Sequence, residues 1–135
     1  MAIHSRLGTI EGRVTLIARA EREELLEMLE KLVRKRAIIG QIYLALDGKR
    51  NQDEVFKLLD AAGVSTSPMG ISRNLDKMQT EHGIVQLVSA GRSKVFRRSS
   101  ESETVLNLST NIRKWLKDEG ETDPAPPPGR KKRKR

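Results

Sequence analysis

Arg73 and Lys77 stand one helical turn apart in a stretch whose apolar residues, Ile71, Leu75 and Met78, recur at helical spacing. That spacing turns both cations away from the core, alongside Met69, Asp76 and Thr80. Arginine and lysine on a polar helix face can bond guanine edges and phosphate oxygens. Just ahead, Ser65, Thr66 and Ser67 offer hydroxyls and exposed N–H groups to a phosphate, and Met69 and Gly70, the latter a weak point near the helix start, fall in the same candidate DNA-binding set. Just behind, Arg92, Ser93, Lys94 and Arg97, with Arg98 following, fall on the tip and return strand of a hairpin. An arginine at such a tip suits a narrow minor groove. The last basic group, Arg130, Lys131, Lys132, Arg133, Lys134 and Arg135, is an unbroken run. It reads as a non-specific phosphate clamp, a nuclear-import signal in a eukaryotic source, or a solubilising tail.

Other chemistries find little to work with. The chain has no cysteine, which excludes disulfides, thiolate metal sites and cysteine nucleophiles. Its two histidines, His4 and His82, are far apart, and there is no phosphate loop or metal-ligand spacing. We therefore expect no enzyme, no metal and no cofactor. Four aromatic residues (Tyr43, Phe56, Phe96, Trp115) are too few for a base-stacking platform of the kind that holds single strands. The net charge of +8 is uneven, because the final six residues supply +6 of it. Within the remainder, 67–99 carries six cations against two acids, whereas 51–66 is net acidic. A field placed this way favours a polyanionic partner.

The elements that must hold these residues can be read from periodicity and caps. Residues 1–19 form an N-terminal arm whose apolar positions leave a disordered, stranded or packed state open. From 20 to 36, Leu25, Met28, Leu29 and Leu32 recur at three- and four-residue steps among acids, and Leu25, Met28 and Leu32 can seed a seam with a second copy. Ala37 to Leu46 is mostly apolar and reads as a central buried helix. Asn51 with Glu54 forms a capping box ahead of a helix whose stripe is Val55, Leu58, Leu59 and Ala62, ended by Gly63. Ser67-Pro68 opens the next helix, which His82-Gly83 closes. Ile84–Ser89 and Lys94–Ser99 read as the two strands of the hairpin. Ser100 with Glu103 then caps a last helix over 101–118, carrying Val105, Leu108, Ile112 and Trp115. Residues 119–135, rich in proline and then in cations, read as a disordered tail. A secretory signal and a bilayer-spanning run are both lacking, so the expected location is the cytoplasm, at the nucleoid, or the nucleus in a eukaryotic source.

The run Ser72-Arg73-Asn74-Leu75-Asp76-Lys77-Met78, followed by His82-Gly83-Ile84-Val85, looks like a recognition helix ending in glycine before a first wing strand. Over 51–99 the chain resembles the winged helix-turn-helix domains of bacterial and archaeal transcription regulators, with the MarR-like and ArsR-like families nearest. The resemblance implies a mainly α fold with a small antiparallel β-hairpin, flanked by dimerisation helices at its two ends. It adds Asn74 to the DNA-reading set and gives Val105, Leu108, Ile112 and Trp115 a part in pairing. The clustered ligands of ArsR-like metal sensors are missing, and nothing marks a MarR-like effector pocket. The expected function is sequence-specific binding of double-stranded DNA by a homodimeric transcription regulator, with 51–83 as the helix-turn-helix and 84–99 as the wing. The alternative is a protein-interaction subunit or architectural DNA-binding factor that meets a protein partner through its terminal helices.

Overall fold

A computed structural model describes residues 7–91 and 93–125, with side chains from Glu21 onward. Six helices and one hairpin follow in order: α1 (Leu7–Lys35), α2 (Ala37–Ala45), α3 (Gln52–Ala61), α4 (Pro68–Lys77), β1 (Val85–Ser89), β2 (Val95–Arg98), α5 (Ser100–Thr104) and α6 (Leu108–Asp118). The chain is thus mainly α with a two-stranded antiparallel sheet. Among the described residues no helix is long and apolar enough to cross a membrane.

α2 is the centre of the fold, as its nearly continuous apolar sequence requires. Every residue from Ile39 to Leu46 is buried. Leu29 and Val33 of α1, Val55 and Leu59 of α3, Ile71 and Leu75 of α4, and Ile112 and Trp115 of α6 share one core with it. Gly40 lets α1 and α6 close on α2. A Cβ there would stand 2.8 Å from Ile112 Cγ2 and 3.0 Å from Val33 Cγ1.

Local chemistry sets the ends of α3 and α4. The Asn51 side chain accepts from Glu54 N–H at 2.8 Å, and the Glu54 carboxylate accepts from Asn51 N–H at 2.9 Å, completing the capping box. Ser67 Oγ accepts from Gly70 N–H at 3.0 Å, with Pro68 in the first turn, where its missing N–H has no intrahelical role. Past Lys77 the helix widens into a π-turn over Met78–His82. Gly83, in the left-handed region at φ 65°, ends it. β1 and β2 pair antiparallel with an irregularity between Leu87 and Ser89. A bridge from Asn51 to Val95, and a bond from Gln52 N–H to the Lys94 carbonyl at 3.2 Å, fasten the start of α3 to β2 on the side away from β1.

The structure departs from the sequence reading at both ends. Residues 7–19, read as part of an arm, continue the helical backbone of α1. The helix read over 101–118 is two, because Asn107 turns left-handed (φ 52°) and separates α5 from α6. Its cap is Ser99, whose hydroxyl accepts from Ser102 N–H at 3.1 Å, rather than Ser100. The segment 119–125, read as the start of a disordered tail, folds back on the domain. Thr122 O accepts from Gln41 Nε2 at 3.0 Å, Asp123 takes Arg113 Nε at 3.0 Å, and Pro124 is buried.

Candidate nucleic-acid interface

α4 is amphipathic because its apolar residues fall on one arc. Ile71, Leu75 and, just beyond the helix, Met78 are buried, while Met69, Ser72, Arg73, Asp76 and Lys77 are exposed. Met69 is 63% exposed, an apolar side chain left in solvent at the front of the helix. The bridge between Asn51 and Val95 swings the hairpin against this helix. One cleft is therefore lined by Ser72, Arg73, Asp76 and Gln79 from the α4 region, by Lys94 and Phe96 from the hairpin, and by Gln52 from α3.

The sequence-predicted DNA set divides in this geometry. Arg73 and Lys94 meet in the cleft, Lys77 lies one turn beyond Arg73, and Ser65, Ser67 and Ser93 are exposed. Thr66 and Gly70 are half-buried at the start of α4, where Ser67 Oγ is already spent on Gly70 N–H. Arg97 is exposed on β2 and donates through Nε to Gln86 Oε1 at 2.9 Å. Arg92 and Arg130, Lys131, Lys132, Arg133, Lys134 and Arg135 lie outside the described residues.

Asn74 is a correction. It is only 7% exposed; its Nδ2 donates to the Gly70 carbonyl at 2.8 Å, and its Oδ1 accepts from Arg36 Nη2 at 3.3 Å. A side chain so placed holds α4 rather than facing outward. Gln52, Ser72, Asp76 and Gln79 belong to the cleft but were not in the predicted set. Ser72 and Asp76 are signalled by helical spacing alone, whereas Gln52 arrives only through the bridge to β2.

The cations also divide by what neutralises them. Arg34 is bonded to Glu30, Glu119 and Asp118, and these bonds, Glu30 first, then Glu119 and Asp118, raise its pKa. Arg113 pairs with Asp123, Arg50 with Asp47 and Lys57 with Asp53. Arg98, read as a wing cation, turns inward. Its Nε and Nη2 donate to the Tyr43 and Leu44 carbonyls at 3.1 and 2.7 Å, its guanidinium stacks 5.7 Å from the Tyr43 ring centre, and Nη1 is 3.9 Å from Glu103. By contrast Arg73, Lys77, Lys94 and Arg97 enter no ion pair among the described residues. Their charge is left to the solvent side of α4 and the hairpin.

The predicted pairing residues divide too. Leu108, Ile112 and Trp115 are buried within the chain's own core and have no face left for a second copy. This corrects their assignment: the turn at Asn107 rotates α6 inward onto α1 and α2. Leu25 and Leu32 are partly buried against the core, and Met28 and Val105 remain 45% and 48% exposed. Leu25 and Val105 line one groove with Arg22, His82, Ile84 and Leu106.

Among the described residues, no three acidic or histidine side chains gather as a metal site. Comparison of the chain with protein-family models, curated proteins and solved structures finds no match in any of the three.

Proposed function

We propose that this chain is a winged helix-turn-helix protein that binds double-stranded DNA, with α3 and α4 as the helix-turn-helix and the β1–β2 hairpin as the wing. The observation that carries the reading is the cleft in which the Arg73 face of α4 meets Lys94 of the hairpin, neither cation being in an ion pair among the described residues. α4 is about 15 Å long at 1.5 Å per residue and fits a major groove, where Arg73 can bond a guanine edge and Lys77 a phosphate. Lys94 then lies toward the adjacent backbone or minor groove. Two copies, meeting through α1 and the Val105 side of the groove, make a regulator that reads a roughly palindromic site with half-sites about 10 bp, or a multiple, apart.

Selection from a pool of randomised duplexes with the full chain, followed by binding of Arg73→Ala, tests this reading. The variant is expected to lose about tenfold or more on the selected site, the worth of a bidentate base contact, and much less on a scrambled duplex. Equal losses on both duplexes, or no loss on either, remove base reading from Arg73. A chain without duplex affinity at low salt overturns the proposal as a whole.

A further inference from the structure

We propose that Arg36, at the corner between α1 and α2, is a phosphate-contacting residue that flanks α4 on the side opposite the wing. The inference rests on the DNA-binding reading above and extends its surface to an element outside 51–99.

The argument begins with the helical wheel. At 3.6 residues per turn, Met69 and Arg73 run along the outer crest of α4. Ser72 and Asp76 fall to one side, where the cleft brings Lys94. Gly70 and Asn74 fall to the other, with Lys77 between them and the crest, and this is the side that Arg36 reaches. A helix with side chains is about 10–12 Å across and the major groove about 12 Å wide, so a helix laid in the groove has a phosphate strand along each flank. Lys94 supplies a cation for one strand. Arg36 supplies one for the other.

Arg36 is also available for the task. It is exposed, and its one side-chain bond among the described residues is to Asn74, leaving most of its five N–H donors unused. Two residues earlier Arg34 is spent on three carboxylates. The helix break at Arg36, with φ −133° between α1 and α2, directs its side chain to Asn74 of α4 instead. Asn74 is then a positioning residue. A buried amide has to bond both of its ends, and it does so by anchoring one end on Gly70 O and presenting the other to the guanidinium.

The test is a salt titration of the full-length chain on a short duplex of mixed sequence, compared with Arg36→Gln and Arg36→Lys. Each phosphate neutralised adds about 0.9 to the slope of log affinity against log salt. Arg36→Gln is expected to flatten the slope by about that amount, with a modest fall in melting temperature for the lost Asn74 bond, and binding is compared well below the melting range of both proteins. Arg36→Lys is expected to keep the slope, since it keeps the charge. An unchanged slope and affinity in Arg36→Gln overturns the contact. So does an equal loss in both variants with the slope retained, which is the mark of a purely structural role for the guanidinium. Both results differ from absence of duplex binding in the parent, which overturns the DNA reading itself and this inference with it.

Discussion

Tyr43 has its hydroxyl deep beneath the hairpin, where water cannot serve it. It donates to Glu103 and lies 2.6 Å from Ser102 Oγ, while Ser109 Oγ donates to the same Glu103 oxygen at 2.7 Å. Arg98 stacks on the ring from β2, so one residue of the central helix ties the return strand to α5 and α6. Tyr43→Phe leaves a half-buried carboxylate one donor short, and a loss of about 1–3 kcal/mol in urea unfolding is expected at neutral pH. Burial and the Glu103 bond raise the Tyr43 pKa above its ordinary value. The unfolded chain releases this proton near pH 10 while the folded one keeps it. The stabilisation is therefore complete below about pH 10 and is lost as pH rises beyond it, so the gap between parent and Tyr43→Phe should narrow only in alkali. A gap that stays constant through strongly alkaline pH removes the proton from this account.

Packing of elements shows where local signals suffice and where they do not. The caps at Asn51 and Ser67-Pro68 are legible because each is a bond between residues three apart. The buried stripes of α3 and α4 are legible because they follow helical period. The division of α5 from α6 is hidden, since Val105, Leu106 and Leu108 continue an apolar pattern and only a left-handed Asn107 breaks it. The resemblance puts Asn74 among the DNA-reading residues although helical spacing sets it beside Ile71 and Met78, and the partner that holds it, Arg36, is 38 residues away in sequence. Gly40 is the sharpest case of a long-range cause. Alanine is the better helix former by about 1 kcal/mol, so an isolated α2 gains from Gly40→Ala. In the folded chain the added methyl runs into Ile112 and Val33, and overpacking of this kind costs about 1–3 kcal/mol. The clash outweighs propensity, and the urea midpoint of Gly40→Ala is expected to fall. A raised midpoint would mean that α1 and α6 yield without cost.

Across the whole molecule, the apolar surface left over bears on the proposed pairing of two copies. α1 has 29 residues and so runs about 44 Å, whereas a 100-residue domain has a radius of gyration of only about 13 Å. Its last turns, around Leu29 and Val33, serve the core, and the helix extends well past them toward Leu7. With Leu108, Ile112 and Trp115 consumed inside, Met28 and Val105 are the predicted pairing residues with the most exposed surface, and burying them would recover their transfer free energy. Charges there should separate two copies without harming one, because neither residue belongs to the core. Met28→Glu with Val105→Glu is therefore expected to melt within a degree or two of the parent at low concentration. Its dimer dissociation constant should rise by about 100-fold or more, counting about 1.5–3 kcal/mol for each apolar side chain no longer buried. Sedimentation velocity over a concentration series reads the constant directly. On a palindromic duplex the variant should lose far more affinity than on an isolated half-site, since only the former needs both copies held together. A variant that sediments as the parent does, dimeric or monomeric, takes Met28 and Val105 out of any pairing surface and leaves α4 and the hairpin to act from a single chain.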